Sequence, residues 1–170
     1  MNQLITFLLV SILSVSVVGC SSNETYNYKN GDIILHTSKS SQSKMIREVT
    51  NSKYSHVGIV YIKDGKPYVF EAVQPVKITP LDEFINRGVD SKYTVVRYNR
   101  EFNEDQMNRM YNYATSQIGK NYDLKFEWSD KSMYCSELVF KIYYNAGITL
   151  CNINKFSDYD LNSNEAQNAI

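Results

Sequence analysis

The chain has 170 residues, which is enough for one folded domain and hardly enough for two. Its 18 Lys and Arg residues balance 18 Asp and Glu residues, which argues against a nucleic-acid partner, because general nucleic-acid binders are normally basic. Hydrophobic residues make up 43% of the chain and favour a real core over disorder. Three Cys and two His exclude a disulfide framework, and a four-ligand zinc site would need nearly all of them.

The N-terminal part has the features of an export signal. An apolar run from Leu4 to Val18 spans about 15 residues, whereas a membrane-spanning helix needs roughly 20. It ends in Val17-Val18-Gly19-Cys20, which resembles a bacterial lipobox, where the Cys is lipidated and becomes the mature N-terminus. We therefore expect a signal peptide over residues 1–19 and lipidation of Cys20. Residues 1–19 contain no Lys or Arg, and an uncleaved anchor or a plain secretory signal are the alternatives.

Lipidation would determine where the rest of the chain resides. Residues 20–30 are interpreted as the lipidated Cys with a polar tether, and residues 31–170 as the folded domain. A lipid-modified terminus anchors a protein to a membrane. We expect the domain to lie in the bacterial cell envelope, outside the cytoplasm, on the periplasmic or surface side.

Strands and helices alternate irregularly after the tether, and Asp64-Gly65 predicts a hairpin turn. Asn103 and Gln106 have the spacing of a helix-capping pair. The mixture predicts the α+β class with a mainly antiparallel sheet. In chain order, strands are predicted over 33–35, 55–62, 67–73, 76–78 and 93–98, and helices over 40–51, 80–87, 103–118 and 135–146.

Cys135 lies at the predicted start of the last helix. Free N–H groups and the helix dipole at that position favour a thiolate, which is the form that a nucleophile needs. Glu137 in the first turn partly opposes this effect. On the local sequence alone, the alternative is a small buried core residue, which is what most Cys residues are.

The predicted hairpin relates His56 to Glu71. If Asp64-Gly65 is a two-residue loop, Lys63 faces Lys66 and Gly58 faces Glu71. Glu71 then lies on the same face of the sheet as His56, one diagonal step away and within side-chain reach. A structural His56 and a solvated Glu71 are the alternatives.

Together these three residues have the chemistry of a catalytic triad. Cys135 would attack a carbonyl carbon, and His56 would take the thiol proton and later protonate the leaving group. Glu71 would hold the imidazole in the useful tautomer and stabilise its charged form. The Cys135 backbone N–H would help to stabilise the oxyanion.

Five segments in this order resemble the permuted papain-like hydrolases of the YiiX/YebB type, within the wider NlpC/P60 group. In papain-like enzymes the Cys helix precedes the His strand, whereas here His56 precedes Cys135, as in the permuted families. The resemblance places the nucleophile, base and third polar residue on Cys135, His56 and Glu71. The segments are Gly31-Asp32-Ile33-Ile34, Ser55-His56-Val57-Gly58-Ile59-Val60, Phe70-Glu71-Ala72-Val73, Gly119-x-x-Tyr122-Asp123-x-x-Phe126 and Tyr134-Cys135-Ser136-Glu137-Leu138-Val139.

The resemblance implies a circularly permuted papain-like fold, with the Cys helix packed against a sheet that carries His56 and Glu71. It implies cleavage of an amide through a thioester acyl-enzyme, without cofactor or metal. The substrate would be a cell-wall peptide or an amino-acid amide, with peptidoglycan as one source. A lipid acyltransferase or esterase of similar fold, a catalytically silent binding lipoprotein, and a metal site at His36, His56 and carboxylates are the alternatives.

Three further residues are candidates for the substrate cleft or the oxyanion site: His36, Tyr54 and Tyr134. Tyr122 is a fourth aromatic candidate for the pocket. Cys151 is expected to be a small buried residue, because a disulfide with Cys135 would require an almost fully extended return from the end of a helix roughly 16 Å long.

Overall fold

The computed structural model describes residues 26–152, together with the strand backbones of residues 3–4, 15–18 and 154–155. Cys20, the lipidation candidate, lies outside the described residues. The helices are α1 (Ser43–Thr50), α2 (Leu81–Asn86), α3 (Glu104–Ser116) and α4 (Cys135–Asn145). The strands are β1 (Gln3–Leu4), β2 (Val15–Val18), β3 (Ile33–Ser38), β4 (His56–Lys63), β5 (Lys66–Glu71), β6 (Lys77–Pro80), β7 (Gly88–Tyr98), β8 (Asn121–Tyr122), β9 (Ser132–Met133) and β10 (Asn154–Lys155).

A six-stranded sheet in the order β2-β7-β3-β4-β5-β6 organises the molecule. All of its strand pairs are antiparallel, which confirms the predicted α+β class with an antiparallel sheet. If residues 1–19 are removed as a signal peptide, the five strands from β7 to β6 keep their pairing with one another. Within the described residues, no helix is both long and apolar enough to cross a membrane.

The β4–β5 hairpin has the predicted register. Asp64 and Gly65 both have positive φ angles, as a two-residue turn requires. Lys63 pairs with Lys66, and Gly58 pairs with Glu71. The strand β5 ends at Glu71, two residues earlier than predicted. The pairing between β4 and β5 therefore stops at a residue of the predicted triad.

Alternating side chains give the sheet two buried faces. One face packs against α3 and α4, with Val57, Ile59 and Phe70 in the same cluster as Leu138 and Val139. The opposite face packs against α2 around Phe84, with contributions from Ile34, Val60, Val69 and Val95. Because period-two side chains point to opposite faces, His56 and Gly58 share the α2 side, whereas Val57 faces α4.

The helix α3 begins as the sequence predicts. The Asn103 Oδ1 accepts from the Gln106 N–H at 2.8 Å, and the Gln106 Oε1 accepts from the Asn103 N–H at 3.1 Å. This reciprocal pair satisfies two N–H groups that the helix itself leaves free. The strand β7 differs from prediction because it begins at Gly88 rather than Tyr93; its first residues are mostly exposed and polar, so they lack an apolar pattern.

Candidate active site

Three element ends meet at the candidate site. His56 is the first residue of β4, Glu71 is the last residue of β5, and Cys135 is the first residue of α4. The strand ends come together through the hairpin register, and α4 packs against the same two strands. The three residues predicted to form a triad are therefore brought together in space.

Glu71 and His56 are joined as the hairpin parity predicts. The His56 Nε2 lies 2.7 Å from the Glu71 Oε2. Glu71 is fully buried, so the alternative of a solvated outer-face residue is wrong. Because Nε2 is engaged by the carboxylate, Nδ1 is the ring nitrogen that remains for the Cys135 thiol, which lies close enough to the imidazole for each group to shift the pKa of the other.

Two residues that the sequence did not single out hold the other oxygen of Glu71. The Thr79 hydroxyl donates to Oε1 at 2.5 Å, and the Arg87 Nη2 donates to the same oxygen. Because Oε1 accepts both of these hydrogen bonds, Oε2 is the carboxylate oxygen that faces His56. Thr79 lies on β6 and Arg87 follows α2, so their roles depend on tertiary placement that no local pattern reveals.

The site favours separated charges. Burial opposes ionisation of Glu71, yet its hydrogen bonds to His56, Arg87 and Thr79 lower the pKa to about 2. Burial likewise works against the imidazolium, but hydrogen bonds to Cys135 and Glu71 raise the pKa of His56 to about 9. Burial would raise the pKa of Cys135, and the hydrogen bond to His56 outweighs it and lowers that pKa. These directions predict a thiolate–imidazolium pair at neutral pH.

The sulfur also receives backbone support. Hydrogen bonds from the main chain at Val57 and Ser136 help to lower the Cys135 pKa. Glu137, the residue expected to oppose the thiolate, reaches back to the Tyr134 N–H at 3.3 Å. Burial raises the pKa of Glu137 to about 7 although the Lys141 Nζ lies 2.8 Å from its Oε1; the raised pKa and the neighbouring ammonium both weaken its opposition to the thiolate.

Tyr122 stands beside the nucleophile. Burial and then the negative charge of Cys135 raise the pKa of its hydroxyl well above the ordinary range, and the hydroxyl is hydrogen-bonded to the sulfur. It therefore stays protonated and can donate. The loop after it is held by Asp123, whose carboxylate accepts from the N–H groups of Lys125 and Glu127 at 2.9 and 2.6 Å.

His36 lies directly opposite His56 on β3. Its ring stacks on Phe84 at 4.5 Å and lies 5.2 Å from the His56 ring. Burial, followed by the neighbouring charges of His56 and Arg87, lowers the pKa of His36 to about 3. His36 is thus a neutral wall of the site, next to the base.

The structure places the remaining candidate residues in different surroundings. Tyr54 lies beside Cys135 in a small cavity of about 60 Å³, and its hydroxyl is 2.6 Å from the Thr94 hydroxyl. Tyr134 is fully buried against Phe126 and lines neither this cavity nor the larger one, because its side chain points into the core. Cys151 is partly buried, and both it and Cys135 are free thiols.

A larger cavity of about 600 Å³ opens beside His56. It is the size of a typical small-molecule site. It touches the smaller cavity of Cys135 through shared walls at Ile46, Ser55 and His56. A substrate carbonyl at the sulfur would therefore lie where the two cavities meet.

Comparisons with known proteins bear on the family and the fold of the chain. A family model described as permuted papain-like amidase enzyme, YaeF/YiiX, C92 family, matches residues 27–170. The uncharacterized protein YiiX of Escherichia coli K12 is 42% identical over 161 residues, which are 94% of this chain and 78% of YiiX. A crystal structure of YiiX from Escherichia coli O157:H7, described there as a metalloprotein, matches with a TM-score of 0.80 and 42% identity, covering 84% of this chain and 80% of that chain.

Proposed function

Because the chain belongs to the permuted papain-like amidase family of the YaeF/YiiX type, we propose that it is a cysteine hydrolase that cleaves an amide bond through a Cys135-His56-Glu71 triad. The single observation that carries this proposal is His56, held between the Glu71 carboxylate at 2.7 Å and the Cys135 thiol. The substrate would be a peptide or amino-acid amide of the cell wall.

The proposed acylation step begins at the sulfur. The Cys135 thiolate attacks the carbonyl carbon, and a C–S bond forms while the carbonyl oxygen becomes an oxyanion. The Cys135 N–H, at the start of α4, has no acceptor within the helix and can donate to that oxyanion together with the Tyr122 hydroxyl. The His56 Nδ1–H then protonates the leaving nitrogen as the C–N bond breaks, which leaves a thioester.

Deacylation would use the same imidazole in the opposite sense. Neutral His56 takes a proton from water, whose oxygen attacks the thioester carbonyl. The C–S bond breaks, the carboxylic acid product leaves, and the proton returns to the Cys135–His56 pair. Throughout both steps Glu71 keeps the proton on Nε2 and so keeps Nδ1 directed to the reaction.

The acyl-enzyme gives the test. The full chain is mixed with a panel of amino-acid p-nitrophenyl esters and amides, quenched in acid, and digested with trypsin. We expect an acyl mass on peptide 132–141, which contains Cys135 as its one cysteine, and its loss in the Cys135→Ala variant. Multiple turnovers without any acyl mass on this peptide, or undiminished turnover by Cys135→Ala, would overturn the proposal.

Membrane tethering is part of the proposal and is supported by the lipobox-like residues 17–20. Growth with labelled palmitate should label the wild-type chain and not a Cys20→Ala variant. Labelling of both chains, or of neither, would contradict lipidation at Cys20.

Metal-dependent chemistry is the second candidate, because the YiiX crystal structure is described as a metalloprotein. Within residues 26–152, no group of three or more His, Cys, Asp and Glu side chains is arranged to hold a metal ion. Both nitrogens of His56 face other partners, Glu71 and Cys135. The residues described do not fit a metal at the triad, so we expect turnover to survive EDTA treatment; loss with EDTA and recovery with added Zn²⁺ would favour the metal.

A further inference from the structure

We propose that the part of the substrate that fills the 600 Å³ cavity carries a carboxylate, and that Lys39 is the residue that binds it. The proposal deepens the proposed hydrolase function by naming a chemical group of its substrate. It rests on that function, because His56 of the proposed triad lines the cavity.

The charges around the cavity have one sign. Lys39, Arg87 and the imidazolium of His56 are the cationic side chains in its wall, and no Asp or Glu of the described residues lines it. His36, also in the wall, is neutral in this environment. A concave site with cations and no acid attracts an anion.

Most charges near the cavity already have partners. Arg87 is paired with Glu71, and His56 is paired with the Cys135 thiolate. Lys39 makes no ion pair with any described residue; its Nζ donates to the carbonyl oxygen of Asn86 at 3.0 Å. One positive charge is therefore left over, which matches a monoanion such as a carboxylate better than a dianionic phosphate.

Lys39 is held in place and has a second donor beside it. Its backbone N–H donates to the Arg87 carbonyl at 3.2 Å, so the backbone of this exposed residue is fixed next to the end of α2. The Ser38 Oγ accepts from the Ser40 N–H at 3.0 Å, which leaves the Ser38 hydroxyl hydrogen free to donate. A cation with a neighbouring hydroxyl donor is a suitable pair for a carboxylate.

The rest of the cavity wall is suited to an uncharged part of the substrate. Ile46, Ala72, Val73 and Leu124 line it, and its volume accommodates a group of amino-acid or dipeptide size. The geometry thus favours a substrate segment with an apolar stem and a carboxylate at the Lys39 end.

The test uses probes that alkylate Cys135, so it needs no known substrate. N-chloroacetyl derivatives of 4-aminobutanoate and 6-aminohexanoate carry the carboxylate, and their primary carboxamides are the neutral matches. The thiolate forms a C–S bond to the methylene carbon and chloride leaves. Labelling rates are read from tryptic peptide 132–141 of the full chain, and a chloroacetyl aminoalkylphosphonate serves as the dianionic arm.

In the wild-type chain we expect one carboxylate probe to label Cys135 about three to five times faster than its carboxamide, which is near the upper end of the preference that one screened ion pair can supply. Lys39→Met should reduce this preference to about twofold or less, while the neutral probe keeps its rate. Lys63→Met is the matched control: it removes one Lys charge from the exposed end of the hairpin and should keep the full preference.

Each outcome has a definite meaning. Fast labelling by neutral probes without a carboxylate preference, or a preference that Lys39→Met leaves unchanged, would overturn the inference alone. A stronger preference for the phosphonate would overturn the assignment to a monoanion. Labelling of Cys135 by every probe at the rate of an ordinary thiol would overturn the proposed function and this inference with it.

Discussion

Replacing Glu71 by Gln should lower the reactivity of the Cys135 thiol, because it reverses the tautomer of the His56 imidazole. In the wild-type chain, Thr79 and Arg87 both donate to Oε1, and Oε2 faces the His56 Nε2. Because Arg87 can only donate, the glutamine must present its carbonyl oxygen there and its NH₂ to His56. The His56 Nε2 then accepts, and its proton moves to Nδ1, where it can no longer take the thiol proton.

The size of the effect follows from the charge states. The wild-type pair holds Cys135 as a thiolate at pH 7.5, because the imidazolium lowers its pKa. An ordinary thiol, with a pKa of about 8.5, is roughly a tenth thiolate at pH 7.5. Without the imidazolium, burial remains and keeps the pKa of Cys135 from falling below that of an ordinary thiol, so its thiolate fraction is no larger. We therefore expect iodoacetamide to label Cys135 at least about tenfold more slowly in Glu71→Gln.

The assay is the labelling rate of tryptic peptide 132–141, combined with ¹⁵N spectra that report which ring nitrogen of His56 carries the proton. Glu71→Gln with Arg87→Met is the informative control. Removing the guanidinium lets the amide turn over, since the Thr79 hydroxyl can accept as well as donate, so this double variant should label faster than Glu71→Gln alone. Labelling of Glu71→Gln at the wild-type rate, or further slowing in the double variant, would show that Glu71 does not set the tautomer of His56.

Two predictions concern the scaffold. A Cβ at Gly58 would lie 2.4 Å from the Val69 Cγ1 and 2.8 Å from the Phe70 carbonyl oxygen, so Gly58→Ala should lower the free energy of unfolding by about 1–3 kcal/mol; a guanidinium titration with an unchanged midpoint would contradict this. Asn103→Ala removes the cap of α3 and should lower the free energy of unfolding by about 1 kcal/mol, measured by the same titration. Asn103→Asp is the control and should retain most of this stability. An equal loss of stability in both variants would argue against a capping role.

The hairpin shows how much of the site the sequence contains. Asp64-Gly65 fixes the parity of the loop, and parity alone places Glu71 on the face of His56. The start of α4 is equally local, since it follows from a helical pattern that begins at Cys135. These features are predictable because each depends on residues close together in the chain.

The support around the triad depends on contacts that are distant in sequence. Thr79 and Arg87 reach Glu71 only after β6 and α2 have packed, so nothing near them predicts their roles. Tyr122 is one of 14 tyrosines, and its position beside Cys135 depends on the loop that Asp123 holds. For Tyr134 the local sequence is misleading. Its position next to Cys135 predicts a pocket residue, whereas the start of the helix directs its ring into the core.

The pH dependence of Cys135 alkylation, measured in the wild-type chain and in His56→Ala, decides whether Cys135 and His56 form an ion pair. We predict that wild-type labelling reaches its plateau well below pH 8.5, because the thiolate persists while His56, with a pKa of about 9, stays charged. In His56→Ala the curve should shift to alkaline pH, with a midpoint at or above that of an ordinary thiol. Two superimposable curves would contradict the thiolate–imidazolium pair.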